Sequence, residues 1–381
     1  MIRLIKIDQK NVHGNPVLVK QEFQKLAEGL EGVVAANTIL SDVDGVAGRL
    51  VIRGFELGQL AGRTRFGEVA HLLLDGFFDD LPEPAGLEAM LGAARVEAFA
   101  YVDAIPAGLN AVEAVRALLA RIPDGDDLRT AIRLLAGVSV FTAAVARQRQ
   151  GHMPLPPDPE ADHATDMLRM IRGSNPTVDE AAALDTYLVT VCDHGLNAST
   201  FAVRVTASTL AGLTSAVLTG ISTLKGPLHG GAPGPVVEML DEIGEASNAR
   251  AWIERAIDRG ERLMGFGHRI YRVRDPRADA LKLAVRPLSS NTGRLALAEA
   301  VESAALQILS ERKPDRSLQT NVEFYTALLL EALGFEPAEF TCVFAMGRTL
   351  GWIAHAREQV CNGRLIRPAS VYVGPVPKIA A

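Results

Sequence analysis

Helical periodicity over most of the chain is the feature that most limits the folds open to it. Ala, Leu, Val and Arg recur in windows longer than strands normally fill. The last such helix is predicted to end at Gly334, a residue suited to the position after a helix C-cap. A capping box from Thr177 to Glu180 marks another helix start. These windows predict an all-α fold; they are FGEVAHLLLDGFF, LRTAIRLLAGVSVFTAAVARQ, EAAALDTYLVTVCDH, TASTLAGLTSAVLTGIS and TNVEFYTALLLEALG.

One early segment departs from this pattern. In NTILSDVDGVAGRLVIRGF, Asp44 and Gly45 stand between two runs of β-favouring residues, which predicts a minor N-terminal β-hairpin. The length of 381 residues exceeds what one hydrophobic core usually supports. We therefore expect two domains, or one large domain with an appendage.

Composition and charge exclude several classes of protein. With 48% hydrophobic and 22% charged residues, the chain is typical of globular proteins. Its formal net charge of -6 gives no bulk electrostatic reason to bind nucleic acid or an anionic membrane. We find neither the apolar region of a signal peptide nor an uninterrupted apolar run long enough to span a bilayer.

The cysteines indicate the compartment. Cys192, Cys342 and Cys361 are odd in number and lack CxxC spacing, so neither a disulfide framework nor a zinc site is predicted. A reducing compartment fits this pattern best, and we expect a cytoplasmic protein.

Three histidines stand in unusual local sequences: His194 in DHGLNASTF, His229 in GPLHGGAPGPV and His268 in MGFGHRIYRVRDPR. A lone histidine is more often a packed or solvated side chain than a catalyst. Glycines beside His229 and His268 remove side-chain bulk, so a ligand is able to approach them closely. The helix predicted at Pro235 would disfavour a charged His229 near its N-terminus and leave a neutral N–H donor. Neither glycine-rich segment matches a P-loop or a dinucleotide-binding fingerprint.

Arginines lie near these histidines and in apolar segments. The arginine cluster after His268 has a second interpretation, in which it forms a solvated basic face. Arg277, however, follows Asp275-Pro276, whose fixed turn would aim it differently from its neighbours. Arg348 and Arg367 lie in apolar stretches, where an unpaired guanidinium is costly. A carboxylate partner is expected for them, from the protein or from a ligand.

Glu323 in TNVEFY is open to two interpretations. Thr320-x-x-Glu323 has the spacing of a capping box, in which Glu323 would bond the N-cap amide. Alternatively, its apolar neighbours would raise its pKa and suit it to general base catalysis. Together with the histidines and arginines, it matches proton removal next to a carbonyl in a polyanionic substrate.

These motifs resemble the citrate synthase family. GPLHGGAPGPV is similar to its GPLHGG motif, MGFGHRIYRVRDPRA to its G-[FY]-GH-x-[IV]-…-DPR signature, and DHGLNASTF to its DHxxNASTF segment. TNVEFYTALLLEALG resembles the NVDFYSG helix, and GRTLGWIAHAREQ with RLIRP resembles the C-terminal block. The motifs occur in the family's order over nearly the whole chain, with the weakest resemblance between residues 100 and 151.

The resemblance implies an almost entirely α-helical homodimer. A large domain would comprise residues 1–232 and 329–381, and a small domain of residues 233–328 would close over the active site. The implied reaction condenses acetyl-CoA, as co-substrate, with oxaloacetate and hydrolyses the thioester to citrate and CoA. No metal and no tightly bound cofactor is implied.

Roles follow residue by residue from the same resemblance. Glu323 would abstract the methyl proton, His229 would donate a hydrogen bond to the enolate oxygen, and His268 would act on the oxaloacetate carbonyl. Oxaloacetate would be held by His194, Arg277 and Arg348, with Arg367 reaching in from the partner subunit. The CoA site would comprise Met264, Gly265, Phe266 and Gly267 at the adenine, with Arg272 and Lys313 near the phosphates.

Two departures and two rival functions remain. The usual base in the family is aspartate, whereas Glu323 is one methylene longer, and GAPGPV replaces the frequent GANEAV after His229. A 2-methylcitrate synthase that uses propionyl-CoA would carry the same machinery, since one methylene is worth only about 1 to 3 kcal/mol in an apolar pocket. A non-catalytic paralogue that binds CoA or a tricarboxylate is the alternative from another class, and Glu323 is the feature in its favour.

Overall fold

The computed structural model describes residues 28–230, 234–288, 292–372 and 374–375. Residues 39–381 form one compact unit, and every element named here belongs to it. Within the described ranges the all-α prediction is confirmed, with three short strands added. The helices are α1 Leu57–Leu60, α2 Phe66–Leu74, α3 Pro84–Phe99, α4 Ala111–Leu119, α5 Leu128–Arg149, α6 His163–Arg172, α7 Val178–Val191, α8 Ala198–Ala207, α9 Leu213–Leu224, α10 Gly234–Ile243, α11 Ala249–Asp258, α12 Pro276–Val285, α13 Thr292–Arg312, α14 Val322–Ala332 and α15 Phe340–Asn362. The predicted division into large and small domains stays a prediction.

The predicted hairpin is present. Strand β1, Ser41–Asp44, pairs antiparallel with β2, Arg49–Ile52, and Asp44 lies opposite Arg49 at the turn. The Asp44 carboxylate accepts hydrogen bonds from the amides of Val46 and Ala47, which fixes the turn. A third strand, β3 Phe55–Glu56, extends the sheet beside β2.

The core is built around α5, whose residues are mostly buried. It packs against α3, α4, α6, α9 and α15. By length and composition this helix is apolar enough to cross a membrane, although Arg133 and Arg147 interrupt its apolar run. Most of its surface is covered by its neighbours, however, as in the central helix of a helical core.

One predicted helix, TASTLAGLTSAVLTGIS, is wrong as a single element. The chain leaves α8 after Ala207 and begins α9 at Leu213. Leu210 and Gly212 between them have positive φ values of 62° and 95°, which are not helical. The Asp124 carboxylate then caps α9 from a distant loop by accepting from Ser215. This tertiary contact is what the local periodicity does not reveal.

Both ends of α14 bear on the site. Its N-cap is Asn321, whose side chain accepts from the Glu323 amide at 3.2 Å. The predicted capping box from Thr320 to Glu323 is wrong, because the Thr320 hydroxyl donates to Glu302 instead. The predicted end at Gly334 is confirmed, with that glycine at φ 81° directly after the C-cap. The capping box from Thr177 to Glu180 is also confirmed, at the start of α7.

The hairpin turn is docked on a loop that contains predicted site residues. The Arg272 amide donates to the Gly45 carbonyl at 2.8 Å. A Cβ at Gly45 would lie 2.3 Å from the Ile270 carbonyl oxygen, and one at Gly48 would lie 2.7 Å from Val273. The turn therefore meets the loop backbone to backbone at Gly45 and backbone to side chain at Gly48, approaches that a Cβ would obstruct.

Candidate active site

The loop from Met264 to Gly267 is fixed against the start of α14. Gly265 and Gly267 adopt positive φ values of 84° and 83°, which favour glycine. The Gly265 carbonyl accepts from the Asn321 amide at 3.0 Å, and the Gly267 carbonyl accepts from the Asn321 side chain at 2.9 Å. Asn321 therefore ties this loop to the turn of α14 that carries Glu323.

His268 follows this loop and forms an aromatic cluster with His194 and Tyr271. The rings of His268 and His194 are 5.6 Å apart between centroids, and that of Tyr271 is 4.9 Å from His268. Nδ1 of His268 accepts from the amides of Ile270 and Tyr271 at 3.0 and 3.2 Å. This assigns the ring hydrogen of neutral His268 to Nε2. Burial first, and then Arg277, lower the pKa of His268 to about 4.

Arg277 is aimed at this cluster by its neighbour Asp275. Its Nε and Nη2 donate to the two carboxylate oxygens of Asp275 at 3.0 and 2.8 Å, and both side chains are buried. Nη2 also lies 3.3 Å from Nε2 of His268. Burial, Arg277 and then Arg348 lower the pKa of His194 well below its ordinary value. His194 is therefore neutral, and its Nε2 lies 3.1 Å from the Tyr271 hydroxyl.

Arg348 is a buried cation near the middle of α15. Its Nε donates to the Val191 carbonyl at 2.6 Å, and its guanidinium lies 4.9 Å from the centre of the Phe344 ring. Nη2 is buried and has no hydrogen-bond partner among the described residues. Burial lowers the pKa of Arg348 to about 10, which still leaves it charged at neutral pH. An unpaired buried guanidinium is costly, so the position suits an anionic ligand.

His229 is held by the hydroxyl of Ser199. Its Nε2 lies 2.9 Å from Ser199 Oγ, which accepts from the indole N–H of Trp352 at 3.2 Å and donates to Asn197 Oδ1 at 2.8 Å. Burial and then Arg348 lower the pKa of His229 to about 4. His229 is therefore neutral at physiological pH, as predicted. Within the described residues, burial and Arg348 account for the lowered pKa of His229, whereas the sequence analysis had attributed it to a helix N-terminus.

Glu323 lies in the first turn of α14, beside the buried ring of Phe324. Its Oε2 is buried without a hydrogen-bond partner in the described part of the chain. Burial raises its pKa above the ordinary 4.5, although Arg277 opposes that shift. A carboxylate in this condition is a stronger proton acceptor than a solvated one.

Together these groups form a site with a definite chemistry. Neutral N–H donors, two buried guanidinium groups and a carboxylate with one unpartnered oxygen share the same electrostatic environment, because Arg277 influences the pKa of His194, Glu323 and Arg348. Such a set is able to hold a dicarboxylate, polarise a carbonyl and remove a proton from carbon.

Comparison with known proteins shows which family the chain belongs to. Residues 29–369 match the family description "Citrate synthase, C-terminal domain". A protein of Mycobacterium tuberculosis is 41% identical over 368 residues, which is 93% of this chain and 95% of that relative. The citrate synthase of Haloferax volcanii is 38% identical over 370 residues, 92% of this chain and 96% of the relative. The chain belongs to the citrate synthase family.

Solved citrate synthases share the fold. The Thermotoga maritima enzyme has a TM-score of 0.81 at 32% identity and covers 93% of this chain and 98% of its own. A Thermoplasma acidophilum citrate synthase, solved as a ternary complex with carboxymethyl coenzyme A and oxaloacetate, has a TM-score of 0.82 at 29% identity, covering 94% and 98%. This chain is accordingly an enzyme of the citrate synthase class.

Not every residue predicted for the citrate synthase site lies in this cluster. The Arg272 side chain is exposed, and its carbonyl accepts from the Ser317 hydroxyl. Lys313 is half-buried directly after α13. Arg367 is exposed, next to Ile366, whose amide donates to Ser208 at the end of α8. Their predicted contacts with CoA and with a partner subunit stay predictions.

Several supporting residues were missed from the sequence. Tyr271, Asp275, Ser199 and Asn321 all lie inside motifs quoted above. The contacts of Tyr271, Ser199 and Asn321 join segments far apart in the chain, whereas Asp275 bonds Arg277 two residues away. Asp275 was noted only for its turn with Pro276. The signal in the sequence that could have pointed to these residues was their position close along the chain to a candidate histidine or to Glu323.

A further missed group lies behind His194. The buried Asp193 accepts from Ser41 and lies 3.2 Å from Nε2 of the buried His355. Nδ1 of His355 faces Arg204 at 3.0 Å, and Arg204 is paired with Glu358 at 2.5 Å. This chain of buried polar groups joins the hairpin, α8 and α15 at the loop that carries His194.

Proposed function

We propose that this chain condenses acetyl-CoA with oxaloacetate and hydrolyses the resulting thioester to citrate and CoA. One observation carries the proposal. The buried, unpartnered Oε2 of Glu323 and the buried, unpartnered Nη2 of Arg348 lie in one site and are both influenced by Arg277. A base and an anion-binding cation are thus left open within the described site, as the reaction requires.

Oxaloacetate binds through its carboxylates and its carbonyl oxygen. Arg348 offers Nη2 to a carboxylate, and His194 and Arg277 complete the polar wall. Nε2 of His268 and Nη2 of Arg277 are both donors and face the same space 3.3 Å apart. An oxygen acceptor between them satisfies both, so we place the oxaloacetate carbonyl there and assign its polarisation to His268.

Glu323 removes a proton from the methyl group of acetyl-CoA. Its raised pKa brings its basicity closer to that needed for a carbon acid at neutral pH. The resulting enolate carbon attacks the polarised oxaloacetate carbonyl and forms the new carbon–carbon bond. Hydrolysis of the citryl thioester then releases free CoA.

His229 stabilises the enolate oxygen as a neutral donor. Its Nε2 is occupied by Ser199, so Nδ1 is the nitrogen left for the substrate. Nδ1 carries a hydrogen only when Nε2 accepts one from the Ser199 hydroxyl. This requires Ser199 to turn its hydrogen towards His229 and away from Asn197, while the Trp352 N–H fills a lone pair of the same oxygen.

CoA lies along the loop from Met264 to Gly267, with Arg272 and Lys313 near its phosphates. The ternary complex of the Thermoplasma relative, with a CoA analogue and oxaloacetate, supports an acyl-CoA co-substrate. Closure of a small domain, residues 233–328, over the remainder would exclude water while the enolate exists. A homodimer in which Arg367 completes the partner's site, located in the cytoplasm, is part of the same proposal.

The test is CoA thiol release by the purified protein with oxaloacetate, using acetyl-CoA and propionyl-CoA in parallel. We expect a higher kcat/KM with acetyl-CoA than with propionyl-CoA. A preference for propionyl-CoA would identify a 2-methylcitrate synthase instead. Calorimetric binding of oxaloacetate or CoA without thiol release would identify a non-catalytic paralogue and overturn the proposal.

A further inference from the structure

Glu302 is a buried carboxylate outside the motifs of the proposed reaction. It lies on α13, and its side chain is only 7% exposed. A buried carboxylate is costly unless it is well paired. This one is bonded to four donors from three different segments of the chain, which is far more than one structural ion pair needs.

The four donors belong to the segments that build the candidate site. Oε1 of Glu302 accepts from Arg274 at 2.7 Å and from the Thr320 hydroxyl at 2.7 Å. Oε2 accepts from the Tyr325 hydroxyl at 2.5 Å and from Lys282 at 3.2 Å. Arg274 lies in the loop between His268 and Arg277, while Thr320 and Tyr325 bracket Glu323.

The hydrogen bonds of Glu302 link the start of α14 to the loop before α12. Thr320 precedes Asn321, the N-cap that holds the Gly265 to Gly267 loop, and the Asp275 amide approaches the Thr320 carbonyl at 3.4 Å. One carboxylate is therefore bonded both to the first turns of α14 and to the loop that supplies His268 and Arg277. Burial would raise the pKa of Glu302, but the hydrogen bonds from Tyr325, Thr320 and Arg274 together hold it below its ordinary value, so Glu302 is ionised.

We infer that Glu302 is a positioning residue that places the base Glu323 relative to His268 and Arg277. This inference rests on the proposed function, because it concerns the geometry of that reaction. A displacement of about 1 Å between reacting groups is able to lower a rate about a hundredfold. In Glu302→Gln, the amide NH₂ group would face donors on one side of residue 302. The substitution therefore breaks hydrogen bonds to these donors while the side chain keeps its size.

Glu299 provides the matched control. It lies one turn earlier on α13, shares Lys282 with Glu302 at 3.1 Å, and is 41% exposed. Its ion pairs are with Lys282 and Arg286, on the cleft of about 620 Å³ that also borders Glu302. We expect Glu302→Gln to lower kcat about 10- to 100-fold and Glu299→Gln to change it less than about twofold. Equal effects of the two variants would overturn the inference.

A double-variant cycle separates positioning from general damage to the fold. If Glu302 acts through Glu323, then Glu302→Gln causes little further loss in protein that already carries Glu323→Gln. A further loss of tenfold or more in that background would contradict the inference. Should Glu302→Gln fail to fold, Tyr325→Phe removes one of the four donors and leaves the carboxylate, with the same cycle expected at a smaller amplitude.

Hydrogen exchange distinguishes failure of this inference from failure of the proposed function. Amide exchange of residues 264–277 and 320–326 should be faster in Glu302→Gln than in the wild type. In Glu299→Gln it should be unchanged. If the wild-type protein releases no thiol, the proposed function fails. Hydrogen exchange still decides whether Glu302 fixes these two segments. Unchanged exchange of both segments in Glu302→Gln would overturn that role.

Discussion

Nη2 of Arg277 lies 3.3 Å from Nε2 of His268, and both nitrogens carry hydrogen. The amides of Ile270 and Tyr271 occupy Nδ1 of His268, which leaves Nε2 as the donor. Two donors at this separation gain little from each other, so an oxygen acceptor within reach of both nitrogens would satisfy them. The predictions below concern the groups that surround this position.

Replacing Glu323 by glutamine should strongly slow condensation, to a residual rate that is still measurable, and leave the fold intact. General base catalysis contributes about 10²- to 10⁴-fold, so kcat should fall by at least about 10²-fold. Glu331→Gln, on the same helix but paired with Arg294 away from the histidines, is the control and should retain activity. The measurement is thiol release at saturating substrates. Normal turnover by Glu323→Gln would exclude a catalytic role.

The same substitution should stabilise the ligand-free protein at high pH. Burial raises the pKa of Glu323, so the folded state binds its proton more tightly than the unfolded state. Stability is therefore lost as pH rises from the ordinary value of 4.5 through the raised pKa. Glu323→Gln removes this loss. Its thermal midpoint should exceed that of the wild type at pH 8, and the difference should shrink towards pH 4.5.

Arg348→Met should separate stability from substrate binding. Arg348 is a buried cation whose Nη2 has no partner among the described residues, and removing it relieves a desolvation cost that outweighs its bond to the Val191 carbonyl. The free protein should therefore become more stable. Loss of a buried charged contact costs about 2 to 5 kcal/mol in binding, so the Kd for oxaloacetate should rise at least about 30-fold. Calorimetry and chemical denaturation measure both effects. Arg357→Met, on the same helix but bonded to the Phe77 carbonyl, should leave the Kd unchanged.

Ser199→Ala should lower kcat because it removes the group that sets the tautomer of His229. We expect a decrease of about tenfold, equivalent to one lost hydrogen bond of about 1 to 1.5 kcal/mol, with little change in the KM for oxaloacetate. Thr200→Val is the matched control, since the adjacent Thr200 hydroxyl is buried without a partner in the described residues. A loss in the control equal to that of Ser199→Ala would point to helix packing instead.

Gly45→Ala should weaken substrate binding from outside the site. The added methyl group would meet the Ile270 carbonyl at 2.3 Å and displace the loop that carries His268 and Arg277. We expect KM for oxaloacetate to rise about tenfold, with a thermal midpoint several degrees lower. Gly58→Ala, with open space around its Cβ, should change neither quantity. Wild-type kinetics in Gly45→Ala would mean that the loop yields without cost.

Much of the fold was predictable from local sequence. The long apolar windows gave α2, α5, α7 and α14 because helical periodicity and caps depend on nearby residues. Prediction failed between α8 and α9, where Asp124 from a distant loop caps the second helix. It also failed at Thr320, which had the spacing of a cap but bonds Glu302 on another helix. In both places a contact between distant segments outweighed the local pattern.

The sequence by itself determined which groups are candidates for the proposed reaction. His229, His268, Glu323 and Arg348 stand out because of their glycine or apolar neighbours, and these neighbours are adjacent in the chain. Only the tertiary structure decided how those groups are tuned. The neutral state of both histidines, the unpartnered atoms of Glu323 and Arg348, and the support from Ser199 and Glu302 arise from burial and from contacts across 18 to 30 or more residues. Burial and long-range hydrogen bonds exist only once the chain has folded, so no local pattern contains them.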